Sequence, residues 1–414
     1  MPNKIFIGSL AVIIAALLWS LDGTFLRPSL NALPSTLVVF LEHTLGFIAL
    51  LPFLIYFRGQ LKNITKKQWL TIFWVALFGG ALGTTFMTKA LFMTGFKDIS
   101  VVILLQKFQP IFAILLASLI LHERFPRRFY LYVLLAIVGG YFVTFKNPFT
   151  FYNIFGTTGL VAAFSLLAAF SWGSSTTFGK YSLKNINYGL LAALRFGLTV
   201  LIMAVPALYF YSSALATTTP KIWIILIIIV FTSGAAAMWL YYFGLKRIPA
   251  SIATLCELAW PVSAVIFDYF LNHNILSFSQ IGGGLVLLFS VYMATALNRS
   301  HTITGTVIEG SGQGATLGFR TANIHPGHAH GLVRGLYDCA VHWEGHIYEG
   351  LLYYGLNSLT KKTCLEVHIL NFEGNLLGKN ITIVTERYLR LPKKFNNPQN
   401  LMKQMEKDKK SMES

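Results

Sequence analysis

Residues 94–110 read TGFKDISVVILLQKFQP, and residues 243–261 read FGLKRIPASIATLCELAWP. Aligned across a two-residue gap, they set Ser100 against Ser251, Gln106 against Glu257 and Pro110 against Pro261. Each stretch is an apolar run carrying one acid or amide shortly before a proline. A second pair agrees: LLWSLDGTF at 17–25 matches AFSWGSSTTF at 169–178, with Trp19 against Trp172 and Phe25 against Phe178. The chain therefore carries one structural unit twice.

That unit belongs in a membrane. Of 414 residues, 55% are hydrophobic and 12% charged, a balance that excludes an ordinary soluble protein as the reading of the whole chain. The long apolar runs lie in 1–298, whereas 299–414 has a soluble composition, so two domains are expected. A membrane helix needs about 20 mostly apolar residues. This length places spans near 5–25, 36–57, 69–88, 99–121, 127–145, 157–179, 188–211, 222–243, 251–271 and 277–297. The repeats then occupy about 1–147 and 155–298, with five spans each. An odd number per repeat makes the copies cross in opposite senses, an inverted-topology repeat suited to alternating access, with substrate held near the midplane.

The N-terminal run lacks a small-residue cleavage site and is followed by further spans, so it reads as a first transmembrane helix. With that end in the cytoplasm, the inner segments contain Lys4, Arg58, Lys62, Lys66, Lys67, Arg124, Arg127, Arg128, Lys180, Lys184, Lys246, Arg247 and Arg299. The outer loops hold only Arg27, Lys97, Lys146 and Lys221, plus Lys89 if it leaves the membrane. The bias, roughly threefold, predicts a multi-pass protein of the cytoplasmic membrane with both termini inside. It also accounts for the net charge of +17 without a nucleic-acid partner. Cys256, Cys339 and Cys364 have no metal-type spacing and read as incidental thiols.

Polar groups inside spans are costly and tend to face a bundle interior or a water-filled path. Gln106, Lys107, Gln109 and Glu257, with Glu42, His43 and Arg195, are the candidates for a transport path. Glu42 and Arg195 occupy matching places in the second helix of each half. Asp22, Lys89 and Asp268 lie near span ends, where the interface explains them equally well. Buried acid–base pairs can also serve only to lock helices together. Trp19, Trp172 and Trp260 could stack on a flat substrate or simply pack. The duplicated ten-helix pattern resembles the drug/metabolite transporter superfamily in its EamA-type branch.

Beyond residue 298 the pattern changes to short alternating stretches, such as TITGTVIEG, CLEVHIL and NITIVTERYLR, punctuated by Gly, Asn and Pro. These predict a small antiparallel sheet or barrel, and NPQNLMKQMEKDKKSM predicts one closing helix. The run GTVIEGSGQGATLGF is no P-loop, because no GK[ST] follows, and no dinucleotide fingerprint, because no βαβ unit follows. Glycine spacing alone leaves it a flexible turn or a backbone cradle for phosphate.

Three ordered motifs, GTVIEGSGQGATLGFRTANI (305–324), LEVHILNFEGNLLGKNI (365–381) and YLRLPKKFNNPQNLMKQMEKD (388–408), resemble riboflavin kinase. The resemblance implies a six-stranded Greek-key barrel with a C-terminal helix, turning riboflavin and ATP into FMN and ADP with Mg²⁺ or another divalent cation. It implies that Thr321 and Asn323 meet the metal and the nucleotide phosphates. Glu366 is then the base for the ribityl 5′-hydroxyl, and the loop of Gly310, Gly312, Gly314 and Gly318 covers the nucleotide. Without the resemblance, Thr321 and Asn323 read as turn caps and Glu366 as a solvated strand residue. The sequence departs from the family at Arg320, where proline is usual, and at Ala315, where a basic residue is common. LNSLTKK (356–362) is shorter than the family's flavin-side loop, and LLGK (376–379) lacks the usual aromatic step.

Together the two domains predict riboflavin uptake followed by trapping as FMN. Two other functions remain open on the sequence. One is a transporter of another metabolite regulated by an inactive flavin-binding domain, and the other is a membrane-anchored riboflavin kinase with little transport.

Overall fold

The computed structural model describes residues 4–95, 102, 105–121, 123, 125–144, 159–272, 277–297, 301–310, 319–357, 362–393, 395 and 398–410. It divides into a helical unit, Met1–Glu123 with Tyr132–Met293, and a second unit, Ala294–Ser414 with Arg124–Leu131.

The helices of the first half are α1 (Lys4–Leu21), α2 (Ser35–Tyr56), α3 (Lys66–Trp74), α4 (Gly83–Met93), α5 (Gln109–Ile120) and α6 (Arg127–Thr144). Those of the second are α7 (Gly159–Ser182), α8 (Tyr188–Ala216), α9 (Pro220–Phe231), α10 (Ala235–Arg247), α11 (Ala250–Cys256), α12 (Ala259–Asn272) and α13 (Phe278–Ala296). Among the described residues, each span expected from the sequence falls largely on helix; part of the span near 99–121 lies outside them. Among the described residues six continuous helical runs are long and apolar enough to cross a membrane: Lys4–Leu30, Ser35–Tyr56, Lys66–Met93, Gly159–Ser182, Tyr188–Ala216 and Pro220–Arg247. The other four expected positions hold helices that are shorter or broken. In the second half, α11 and α12 are separated at Glu257–Leu258, just ahead of Pro261, whose missing N–H loosens the local ladder.

Two of the long runs contain wide π-helical turns, at Asp22–Leu26 after α1 and at Val75–Leu82 between α3 and α4. Such turns release carbonyls from the regular ladder and occur often at functional sites. A third run is interrupted at Thr232–Gly234, between α9 and α10. Small residues bring the helices together, as expected where lipid offers no hydrophobic drive. A Cβ on Gly244 of α10 would lie 2.6 Å from the carbonyl oxygen of Gly8 in α1, so only glycine permits that approach. Likewise, a Cβ on Gly173 of α7 would lie 2.8 Å from the Gln109 carbonyl of α5.

One set of helix ends is tied across the repeats by polar contacts. The Glu123 carboxylate accepts from the backbone N–H groups of Ala250 (2.7 Å) and Ser251 (3.1 Å) and from the Ser251 hydroxyl (2.7 Å). It thus caps the first turn of α11 from the other half of the chain. Within the second repeat, Lys180 Nζ, near the end of α7, donates to the last carbonyls of α10, Leu245 (2.8 Å) and Lys246 (3.1 Å).

The second unit is a closed antiparallel barrel. Its strands are β1 (Thr302–Ile308), β2 (Ala322–Ile324), β3 (Gly335–Trp343), β4 (His346–Leu356), β5 (Thr363–Ile369) and β6 (Asn380–Arg390), in spatial order β1-β2-β5-β4-β3-β6. Alternation along each strand sends Ile303, Val307, Val341, Leu352, Leu365, Val367, Ile381 and Ile383 into one core. A closing helix, α14 (Pro398–Lys410), follows, and a buried ion pair fixes it. The Arg390 guanidinium donates to the Asp408 carboxylate at 2.6 and 3.0 Å, with both side chains under 10% exposed.

Candidate functional site

The helical unit encloses a cavity of about 200 Å³, several times the roughly 30 Å³ occupied by one water. Most of the path residues expected from the sequence line it: Trp19, Glu42, His43, Gln106, Gln109, Trp172, Arg195, Glu257 and Trp260. Lys107 does not. It is 2% exposed, packs its stem where a Cβ on Gly140 would fall, and its Nζ has no hydrogen-bond partner among the described residues.

The duplicated fourth helices meet in one hydrogen-bonded chain. Gln106 Nε2 donates to Gln109 Oε1 (2.6 Å), and Gln109 Nε2 donates to Glu257 Oε2 (2.6 Å). On the other side, Tyr241 OH donates to Glu257 Oε1 (2.8 Å), and Thr176 lies 2.7 Å from the same phenol oxygen. Because Tyr241 has spent its proton on Glu257, Thr176 is the donor to it. The local helix breaks, at Lys107–Phe108 in one half and at Glu257–Leu258 in the other, lie beside these side chains.

Arg195 comes from the first third of α8. Its Nη2 donates to the Gly79 carbonyl (2.6 Å), freed by the π turn, and its Nη1 approaches Met238 Sδ (2.7 Å) and Tyr242 OH (3.4 Å). Trp172 Nε1 donates to the same Gly79 carbonyl (3.2 Å). Among the described residues no carboxylate lies within salt-bridge distance of Arg195, so a buried guanidinium borders the cavity with carbonyl, sulfur and phenol neighbours only. The tryptophans form aromatic walls: Trp19 packs against Tyr241 at 5.4 Å between ring centroids, and the Trp260 ring lies over Gly23.

Arg27 is a residue that the sequence reading assigned to an outer loop. The helix of α1 continues through its π turn, and Arg27 is buried on the cavity wall. It donates to Asp22 Oδ2 from Nη2 (2.7 Å) and Nε (3.2 Å), to Thr88 from Nη1 (3.0 Å), and it stands 3.1 Å from the Glu42 carboxylate. Asp22, read as a span-end residue, is 6% exposed here. Tyr241 and Thr176 were also missed, because in a single apolar run neither differs from packing residues.

In the barrel, the residues named by motif converge. Asn323 of β2 lies directly opposite Glu366 of β5, which in turn lies opposite Tyr353 of β4. Directly paired residues share a face, with Cβ atoms about 5 Å apart. Thr321 immediately precedes β2. A Cβ on Gly310 would lie 2.0 Å from Asn323 Nδ2, so glycine alone leaves that corner open. Gly312, Gly314 and Gly318, with Ala315, lie outside the described residues. Arg320, at the family's proline position, is held by its backbone: its carbonyl is 2.7 Å from His368 Nδ1. The oxygen donors of Thr321 and Asn323, beside a carboxylate and a glycine-walled corner, fit a hard divalent cation such as Mg²⁺. Next along β5, burial and the neighbouring Glu366 carboxylate push the Cys364 thiol up to about 12.

A duplicated helical bundle around a polar and aromatic cavity fits a small-molecule transporter, and the C-terminal barrel fits a phosphotransferase of the flavokinase kind. The chain belongs to the EamA-like transporter family, whose profile matches residues 6–145 and again 158–296, and it carries a flavokinase (riboflavin kinase) domain matched over 297–414. The riboflavin transporter ImpX of Fusobacterium nucleatum is 42% identical over 298 residues, 70% of this chain and 98% of that protein. The bifunctional riboflavin kinase/FMN adenylyltransferase of Listeria monocytogenes is 33% identical over 116 residues, 27% of this chain and 37% of that protein. The chain thus spans little more than a third of that kinase relative's length. A crystal structure aligned over 70% of this chain and 98% of its own, with a TM-score of 0.56 at 17% identity, shares the fold of the helical unit.

Proposed function

We propose that the helical unit imports riboflavin through the cytoplasmic membrane and that the barrel phosphorylates it with ATP to FMN. Both termini are cytoplasmic in this reading, so the barrel meets ATP and the incoming vitamin on the same side. The conjunction that carries the proposal is a riboflavin transporter as relative over 70% of the chain and a riboflavin kinase family match over 297–414 of the same chain.

The cavity suits the vitamin. Trp19, Trp172 and Trp260 offer faces for a flat tricyclic ring, and Arg195 offers donors to carbonyl oxygens on its pyrimidine edge. The Gln106–Gln109–Glu257 chain offers partners for polyol hydroxyls. In the barrel, Glu366 takes the proton of the ribityl 5′-hydroxyl as that oxygen attacks the γ-phosphorus of ATP, and ADP leaves. Thr321 and Asn323 hold the cation, and the Gly310 corner lets backbone approach the phosphates. Bound Mg²⁺ neutralises charge on the transferring phosphoryl group. FMN then carries a phosphate charge, which opposes its return through a path fitted to a neutral flavin.

The test uses the full chain with riboflavin, ATP and magnesium in detergent. FMN forms with the native chain, and Glu366→Gln lowers turnover by at least about 100-fold, the usual contribution of a placed base. Unchanged turnover in Glu366→Gln removes Glu366 from this role, and no FMN with the native chain overturns the kinase half of the proposal.

A further inference from the structure

The cavity holds more buried negative charge at one place than its arginine can balance. Asp22 and Glu42 are each 6% exposed, and both face the single guanidinium of Arg27. Asp22 is the settled partner, taking both Nη2 and Nε on its Oδ2. Glu42 is the supernumerary acid: both of its oxygens reach only Arg27 Nη2, which donates to Oε2 at 3.3 Å and stands 3.1 Å from Oε1, and Oε1 accepts no hydrogen bond. Asp22 Oδ1 is equally without a partner. A third orphan borders the same cavity, the Ser233 hydroxyl, 5% exposed at the break between α9 and α10. Glu257 differs, because both of its oxygens accept hydrogen bonds. The cluster therefore carries one excess negative charge with bare carboxylate oxygens in a place where an uncompensated charge costs several kcal/mol.

We infer that the Asp22–Arg27–Glu42 cluster is the coupling-ion site of transport and binds one proton, held on Glu42, that enters with each substrate molecule. A proton fits and a metal cation does not. Sodium would need several oxygen ligands around it, and the Arg27 guanidinium already sits between the two acids, repelling a second cation. A proton needs only one carboxylate oxygen, and Glu42 Oε1, which accepts no hydrogen bond, offers it; there the proton converts carboxylate to carboxylic acid and cancels the excess charge. Bound from the outer side and released to the cytoplasm, it leaves the carboxylate as it began.

The surrounding groups direct the proton to this acid. From α2, His43 donates its Nδ1 hydrogen to the Val39 carbonyl (2.8 Å) and packs against the Phe196 ring; a proton there would add a positive charge beside Arg27 and Arg195. From α4, Thr88 is engaged by Arg27, and Lys89 places its Nζ 4.9 Å from the Phe164 ring centroid. From α8 comes Arg195, from α10 Tyr241, and from the α11 end Glu257, the last two already bonded to each other. Protonating Glu42 removes the excess charge and leaves the two-point contact of Asp22 with Arg27 intact.

The inference rests on riboflavin as the transported solute, and the experiment separates the two claims. The full chain is reconstituted in vesicles without ATP. Exchange of labelled for unlabelled riboflavin, with no ion gradient, tests the solute; its absence overturns the transport reading and this inference with it. With exchange present and the membrane potential clamped at zero, an alkaline lumen should accumulate riboflavin about tenfold per pH unit, the worth of one proton. An equal sodium gradient should accumulate none. In Glu42→Gln the ratio of uptake with and without the pH gradient should fall to one, and riboflavin binding to the detergent-purified variant should lose the proton uptake seen with the native protein. Exchange without any response to the pH gradient overturns the proton site and leaves the solute intact. Accumulation on sodium alone, or a Glu42→Gln variant that still follows the pH gradient, overturns it as well.

Discussion

Single residues carry the proposed chemistry of both sites. In the barrel, Glu366 and Asn323 are paired across β5 and β2, although 43 positions separate them in sequence. The Cys364 thiol reports on that carboxylate. Pushed up to about 12 by burial and by Glu366, it should be alkylated slowly at pH 8. Glu366→Gln removes the negative charge, favours the thiolate and should raise the labelling rate severalfold; an unchanged rate would show that the carboxylate does not stand beside the thiol. Parts of this were legible in the sequence. The repeat alignment singled out Gln106 and Glu257, and the structure joins them through Gln109. Arg27 was not legible, because its charge near an apolar run's end looks like a loop residue until the π turn carries the helix past it. Lys107 shared the polarity of its neighbours yet faces Gly140 rather than the cavity, a difference of helix face that the local break conceals.

At the scale of elements, the helix positions followed from apolar length, while the breaks within them did not. The π turn Val75–Leu82 consists of ordinary apolar residues and glycines, and its opening is fixed by what packs on it. A Cβ on Gly79 would stand 2.1 Å from Ser175 Oγ, and one on Gly80 would stand 2.0 Å from Thr199 Oγ1. Gly79→Ala and Gly80→Ala should each destabilise the helical unit by about 1–3 kcal/mol, read as a lowered melting temperature in detergent. Gly79→Ala should also weaken riboflavin binding, since the Gly79 carbonyl holds Arg195 and Trp172. Glu123→Ala, which strips α11 of its cap from the other repeat, should cost about 1 kcal/mol by the same measurement. In the barrel, the alternation of strands was readable, but the clasp of α14 was not, since Arg390 and Asp408 look like two surface charges. Asp408→Ala leaves Arg390 buried and unpaired and should cost about 3–5 kcal/mol.

The whole molecule joins an EamA-like transporter unit and a riboflavin kinase domain in a single chain, which the proposed function reads as a carrier and a kinase for one vitamin. Neither domain needs a new fold for this. In the proposed function, transport would supply a neutral flavin to the cytoplasm, and phosphorylation would give it a charge that opposes its return. The direct test is to load vesicles bearing the full chain with ATP and magnesium, add riboflavin outside, and analyse the flavin inside. The account predicts that FMN accumulates in the lumen beyond the external riboflavin concentration, and that Glu366→Gln abolishes it. Riboflavin that fails to enter, or that enters and stays unphosphorylated in the native chain, would contradict it.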